Sequence, residues 1–330
     1  MKRILVIATG GTIACREGKE GLVPELTLEQ LLNYVPQIRK QCELGAVQLL
    51  NLDSSNMQPR HWLKIAARIA EEYEQYDGFV VLHGTDTMAY TAAALSYLLQ
   101  NGPKPVVLTG AQKPIDQDIS DARGNVIQSI LYACDDKASD VNFVFNGEVI
   151  AGTRGRKIRT KSFNAFSSMD FPHKAVIRDN HVVHYIDRKN TGPLESYDRL
   201  DEKIFALRLI PGLDAGILEE LGNRYHGIIL EGFGIGGFPS LEEMGFREGI
   251  TRLLDQGVVV VATTQVPLEG SDLDVYEVGR LFKKDERLLE AYNMTLEAIA
   301  TKLMWILPQT RDWKEIHRLF YKEINFDIWR

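Results

Sequence analysis

Two continuous apolar runs in this chain end in glycine turns that carry threonine. Ile4-Leu5-Val6-Ile7-Ala8 leads into Thr9-Gly10-Gly11-Thr12, and Phe79-Val80-Val81-Leu82 leads into His83-Gly84-Thr85-Asp86-Thr87. A strand that is apolar at every position is buried on both faces, which a sheet with one wet face does not provide; such runs belong to parallel sheets covered by helices. Further runs at 105–110 and 141–145 alternate with helical patterns. After Pro59, which suits a first helical turn, Trp62, Ile65, Ile69, Tyr73 and Tyr76 step by three or four, and a second helix is expected over 87–100. The expected class is α/β. Ligands of open α/β sheets bind at the carboxyl ends of the strands, where glycine lets backbone approach closely, so the two threonine turns are expected to converge on one pocket.

The alternation resumes in the second half, with apolar runs at 204–207, 227–230 and 258–261 and helix-like segments near 213–224, 240–256 and 295–307. Between the halves lies the turn-forming stretch Asp187-Arg188-Lys189-Asn190-Thr191-Gly192-Pro193. The expectation is two α/β domains: a larger N-terminal one over 1–187 with a mostly parallel sheet and the catalytic motifs, a linker at 188–203, and a smaller C-terminal one over 204–330. The 330 residues, 45% of them hydrophobic, supply a core for both.

The formal charge of −7, with no Lys/Arg-rich run, argues against nucleic acid or an anionic membrane surface as the main partner. The three cysteines, Cys15, Cys42 and Cys134, are odd in number and far apart, so neither a disulfide framework nor a zinc knuckle is expected. His181-Val182-Val183-His184 reads as a strand, which turns its two histidines to opposite faces and away from a shared metal. The N-terminal apolar run is too short for a signal segment, and no stretch reaches the ~18 apolar residues of a membrane span. A cytoplasmic protein is expected.

Each motif has a structural reading beside a chemical one. Thr12, taken alone, is a turn threonine that caps a backbone amide. The turn is no phosphate loop of the Walker type and lacks the G-x-G-x-x-G spacing of a dinucleotide site. Thr85 and Asp86 precede a helix start and suit an N-cap, yet such a start also presents them rigidly to a pocket. Asp53-Ser54-Ser55-Asn56 is a capping turn, or a cluster able to grip the charged ends of a small zwitterion. Lys157 and Lys161 belong to an exposed basic face, or one of them lies buried beside a carboxylate. Cys15, near Thr12, is a conceivable thiol nucleophile but has no accompanying Cys-His signature.

Together these residues resemble the bacterial-type L-asparaginase family through most of the chain. The resemblance is carried by 8–14 around Thr12, Asp53-Ser54-Ser55-Asn56-Met57 and 77–90 around Thr85. It is supported by Leu108-Thr109-Gly110-Ala111-Gln112, Lys157 ahead of Phe163-Asn164-Ala165-Phe166, Glu231-Gly232-Phe233-Gly234 and Met294-Thr295-Leu296-Glu297-Ala298. The Asp-Ser-Ser turn and the lack of a signal segment point to the cytoplasmic, type I branch. The resemblance implies hydrolysis of L-asparagine to L-aspartate and ammonia, with Thr12 as nucleophile and Thr85, Lys157 and Asp86 as the proton-handling set. Lys157 is preferred over Lys161 by its offset from Phe163. Asp53, Ser54, Ser55, Thr85, Asp86 and the Ala111 amide are implied to bind substrate; no metal or cofactor is implied.

The family assembles as dimers or dimers of dimers, so self-association into a homodimer or homotetramer is expected, with Glu297 or the Thr263-Thr264-Gln265 turn as candidates for finishing a neighbour's site. Some type I members also bind asparagine at a second, regulatory site. One departure stands out: where the family carries a lid tyrosine, Glu20-Gly21-Leu22-Val23-Pro24 holds Leu22, just after a glycine-bearing, charged loop over 16–21. Glutamine or another ω-amide as substrate is the neighbouring alternative, and a non-catalytic asparagine sensor is the alternative outside enzymology. The amidotransferase subunit acting on charged tRNA has a similar catalytic domain behind an extra N-terminal one, for which a first motif beginning at Thr9 leaves no room.

Overall fold

The computed structural model describes residues 1–18, 21–24 and 26–329, with only the backbone described for 15–18 and 21–24. The chain divides into two compact units, Met1–Asp198 and Arg199–Arg330.

The first unit is built on an eight-stranded sheet. Its strands are β1 (Arg3–Gly10), β2 (Glu43–Leu52), β3 (Gly78–Leu82), β4 (Val106–Thr109), β5 (Val141–Phe145), β6 (Glu148–Ala151), β7 (Ala175–Arg178) and β8 (His181–His184). Across the sheet the order is β8-β7-β6-β5-β4-β3-β1-β2. The strands β2, β1, β3, β4 and β5 run parallel, while β6, β7 and β8 extend the sheet antiparallel. The chain leaves β1 to one side for β2 and returns on the other for β3, so the strand order reverses between β1 and β3, and it is at such a switch point that open α/β sheets leave a crevice.

The continuous apolar runs are buried on both faces, as a doubly covered sheet requires. Ile4, Val6, Val80, Leu82, Val107 and Val144 join one core with Val126 and Ile130 of the helix Ala122–Ala133 and with the short helix Leu28–Leu32. The alternate residues Leu5, Ile7, Phe79 and Val81 are equally buried. The helix α1 (Pro59–Glu71) buries Trp62, Ile65 and Ile69 as its periodicity predicts, but it ends before Tyr73. Tyr73 and Tyr76 continue the spacing without the helix: both rings pack on Phe79, with centroids 5.8 and 6.4 Å away. The helix α2 (Met88–Leu98) is buried along almost its whole length, which its small residues Ala92, Ala93 and Ala94 permit.

The second unit holds a four-stranded parallel sheet of β9 (Ile204–Arg208), β10 (Gly227–Gly232), β11 (Val259–Thr264) and β12 (Leu289–Glu290). Leu230 and Val260 pack with Phe246, Ile250 and Leu253 of the helix Phe246–Asp255. On the helix Leu296–Ile306, Lys302 is fully buried, and its Nζ donates to Asp327 Oδ2 at 2.6 Å and to the Lys322 carbonyl at 2.8 Å. Two α/β units, the larger N-terminal with a mostly parallel sheet, are what the sequence leads one to expect. Among the described residues, no helix is long and apolar enough to cross a membrane.

Candidate active site

Four loops meet at the carboxyl ends of β2, β1, β3 and β4, and glycine is what lets them meet. Gly10 and Gly11 take φ values of +107° and +87°, where a side chain is strained. A Cβ on Gly10 would lie 2.3 Å from the Leu52 carbonyl oxygen, and one on Gly11 would lie 2.4 Å from the Cα of Gly84. Gly84 in turn faces Ser54, whose Oγ would be 2.6 Å from an added Cβ. The loop after β4 closes on the same point, since Gly110 lies against the His83 carbonyl and Thr85 Cγ2. Its continuation reaches the Thr12 turn, where the Ile115 amide donates to the Ile13 carbonyl at 3.3 Å.

The threonines that end the strands secure these loops. Thr9 Oγ1 donates to the Leu82 carbonyl at 2.9 Å, and Thr109 Oγ1 to the Val144 carbonyl at 2.7 Å. Thr12, half-buried, opens the short 3-10 turn Thr12–Ala14 directly after Gly11. On the neighbouring loop Thr87 stands at the start of α2, yet its hydroxyl does not cap that helix; it donates to the Ser54 carbonyl at 2.7 Å. The Asp86 amide donates to Ser54 Oγ at 3.3 Å, so Ser54 binds the two loops together. Asp53 does cap, its carboxylate accepting from the Ser55 amide at 2.8 Å, while Ser55 itself is exposed.

Beneath the Thr85 loop lies a buried polar relay. Trp62 Nε1 donates to Thr91 Oγ1 at 2.9 Å, Thr91 Oγ1 lies 2.9 Å from His83 Nε2, and His83 Nδ1 is 2.7 Å from the Gly84 carbonyl. A carbonyl only accepts, so Nδ1 carries the proton and Nε2 accepts from Thr91. Burial pushes the His83 pKa down to about 4, its bond to the Gly84 carbonyl opposing only part of that effect. The imidazole is neutral and fixes the backbone from which Thr85 and Asp86 project.

Lys157 reaches this site from a two-stranded hairpin, Gly155–Lys157 paired with Phe166–Ser168. Its Nζ donates to Thr85 Oγ1 at 2.8 Å and to Asp86 Oδ1 at 2.6 Å. The lysine side chain is 18% exposed and that of Asp86 61%, so the ammonium is enclosed while the carboxylate still faces open space. Thr85 Oγ1 donates in turn to Gln112 Oε1 at 3.2 Å. The arrangement therefore joins a hydroxyl to an amine held by a carboxylate, as acid–base handling of a proton on an oxygen requires.

Of the residues singled out from sequence, Thr85, Asp86, Lys157 and Ser54 are in direct contact, Thr12 and buried Ala111 stand on loops packed against them, and Asp53 and Ser55 are on the adjoining turn. Lys161 is exposed beyond the hairpin strand. The side chains of Cys15 and Leu22 lie outside the described residues; the backbone there forms an antiparallel hairpin, Cys15–Gly18 with Gly21–Pro24, with Glu17 opposite Leu22. In the second unit, Gln265 Nε2 donates to the Leu209 and Glu231 carbonyls at 2.7 and 2.9 Å, tying strand ends together, and Glu297 is buried in the first turn of its helix. Gln112 and His83, which stand inside sequence motifs but carry no expected role there, support the site, and so does Asp121, whose carboxylate accepts from the Gln112 amide at 3.0 Å; a polar residue just past a Thr-Gly strand end was the available clue to Gln112.

Residues 3–190 match the family model described as "Asparaginase, N-terminal", and residues 203–320 that described as "Glutaminase/Asparaginase C-terminal domain". The chain is 36% identical to the L-asparaginase of Thermococcus kodakarensis over 99% of both chains. It superposes on the solved thermostable L-asparaginase from that organism with a TM-score of 0.93 at 34% identity, again over 99% of each chain. It is also 36% identical to a glutamyl-tRNA(Gln) amidotransferase subunit from Pyrococcus furiosus, spanning 96% of this chain and 74% of that protein. The probable cytoplasmic L-asparaginase from Campylobacter jejuni matches with a TM-score of 0.83 at 27% identity, over 98% of this chain and 100% of that one.

Proposed function

The chain belongs to the asparaginase family, and on that premise we propose that it hydrolyses L-asparagine to L-aspartate and ammonia, with Thr12 as nucleophile and an acyl-enzyme ester as intermediate. The observation that carries the reading is the Lys157 ammonium, 2.8 Å from Thr85 Oγ1 and 2.6 Å from Asp86 Oδ1. A threonine hydroxyl is a weak nucleophile at its own pKa and needs proton transfer at the reacting oxygen. Thr85, joined to Lys157, is the group through which a proton enters or leaves, and Asp86 keeps Lys157 within reach.

In this reading the Thr12 oxygen attacks the side-chain amide carbon, the C–N bond breaks with a proton delivered to the leaving ammonia, and water then opens the ester. The exposed Asp86 carboxylate receives the substrate ammonium, and Asp53, Ser54 and Ser55 form the turn that receives its α-carboxylate. The Ala111 amide supplies stabilisation to the oxyanion. The catalytic set belongs to the N-terminal domain (1–187), ahead of a linker at 188–203 and a second domain at 204–330. The protein works in the cytoplasm, a reading supported by the name of the Campylobacter jejuni neighbour, and as a homodimer or homotetramer, which the family resemblance implies.

A second reading, glutamine as substrate, draws on the family model shared by glutaminases and asparaginases. One methylene separates the two amides, which a pocket distinguishes only by about 1–3 kcal/mol. Ammonia release from asparagine and from glutamine, each over a concentration range, decides between them. Release from neither substrate, or full turnover by Thr12→Ala, overturns the proposal.

A further inference from the structure

The Thr85 hydroxyl has one proton and two lone pairs. Lys157 Nζ donates into one lone pair at 2.8 Å, so the proton must go elsewhere, and the acceptor 3.2 Å away is Gln112 Oε1. The orientation of that amide is fixed by its other end, where Nε2 donates to the Ser162 carbonyl at 3.2 Å; a flipped amide would set oxygen against oxygen there. The backbone is fixed too. The Gln112 amide donates to both carboxylate oxygens of Asp121 at 3.1 and 3.0 Å, the Lys113 amide to one of them at 3.1 Å, and Asn125 Nδ2 holds the same carboxylate at 3.2 Å.

We propose that Gln112 is a positioning residue of the hydrolytic site: by accepting a hydrogen bond from the Thr85 hydroxyl, it turns the second lone pair of Thr85 towards the reacting O–H, which is thereby aligned before its proton passes to the leaving nitrogen. This rests on reading the site as an ω-amide hydrolase. Without the acceptor the hydroxyl points its proton at the reacting O–H most of the time, which weakens the step through Thr85 while leaving the substrate contacts of Asp86, Ser54 and Ser55 unchanged. The effect therefore falls on kcat and not on KM.

Gln112→Met keeps the reach of the side chain and removes the acceptor. The expected result is a kcat for asparagine lowered roughly tenfold, about the worth of one hydrogen bond, with KM moved less than about twofold. In a Thr85→Val background there is no hydroxyl to orient, so adding Gln112→Met changes the residual rate less than about twofold. Gln112→Glu loses the donor to Ser162 but keeps an acceptor for Thr85, and it brings kcat back to within about threefold of the wild type; a role confined to bridging Ser162 predicts no such recovery. A Gln112→Met enzyme with wild-type kcat, a loss that persists in the Thr85→Val background, or a Gln112→Glu enzyme as slow as Gln112→Met each overturns the proposal. Wild-type protein that releases no ammonia from asparagine or glutamine strikes the parent reading instead.

Discussion

Gly11 and Gly84 meet backbone to backbone: an added Cβ on Gly11 would sit 2.4 Å from both the Cα and the amide nitrogen of Gly84. Through this contact the turn bearing Thr12 lies against the turn bearing Thr85. The two glycines therefore set how closely the two threonine turns approach, although neither has a side chain to contribute.

Gly11→Ala adds a methyl group where the backbone is in the left-handed region and the space is already filled. The expected cost is about 2–5 kcal/mol of stability together with loss of ammonia release. Chemical denaturation alongside a turnover assay checks this; a variant with unchanged midpoint and rate would show that the loops do not need this contact.

Removing the Lys157 ammonium by Lys157→Met should lower kcat by roughly 10²–10⁴, the usual value of a positioned proton-transfer group. Lys157→Arg should recover little, because a planar, permanently charged fork does not replace a compact amine at 2.6–2.8 Å from two oxygens. Steady-state rates with circular dichroism as a check on folding are sufficient. Near-normal turnover by the arginine variant would remove proton transfer from the role of Lys157.

His83 makes stability depend on acid. Its folded pKa, about 4, lies below the ordinary value of 6.5, so between these values the unfolded chain binds a proton that the folded chain refuses. This contribution is complete above about pH 6.5 and is lost as pH falls towards 4, amounting to on the order of 3 kcal/mol for a fully buried ring. Urea midpoints of wild type and His83→Asn at several pH values isolate it from the carboxylates. Parallel pH curves for the two proteins would exclude His83 as the source.

In the second unit, Lys302 and Asp327 form a pair with no exposure on either side chain. Lys302→Met leaves the carboxylate buried without its cation and should cost about 3–5 kcal/mol, whereas Lys302→Met combined with Asp327→Leu should regain most of it. Thermal unfolding of the single and double variants tests this non-additivity. A double variant as unstable as the single one would mean that the pair does more than neutralise itself.

The parallel part of the first sheet was legible because runs such as Phe79–Leu82 are apolar at every position, and the threonine turns because glycine sits where loops must touch. The edge strand Glu43–Leu52 is not marked in the sequence, since its residues are partly exposed throughout and blur the pattern. Lys157 was found by its offset from Phe163 within a family resemblance; nothing local marks a lysine that crosses to another loop. Gln112 and His83 stand inside motifs visible in the sequence, but their parts in the site are not legible there, because their partners Thr85 and Thr91 are supplied by the fold.

The Lys157 hairpin has a consequence for the order of events in folding. Thr85 follows β3, but the lysine that completes it comes only after the chain has laid down β4, β5 and β6. Pairings between segments this distant form late, since loop closure must come first. Recovery of enzymatic rate during refolding should thus lag recovery of secondary structure, making turnover a reporter of the last tertiary contacts to form.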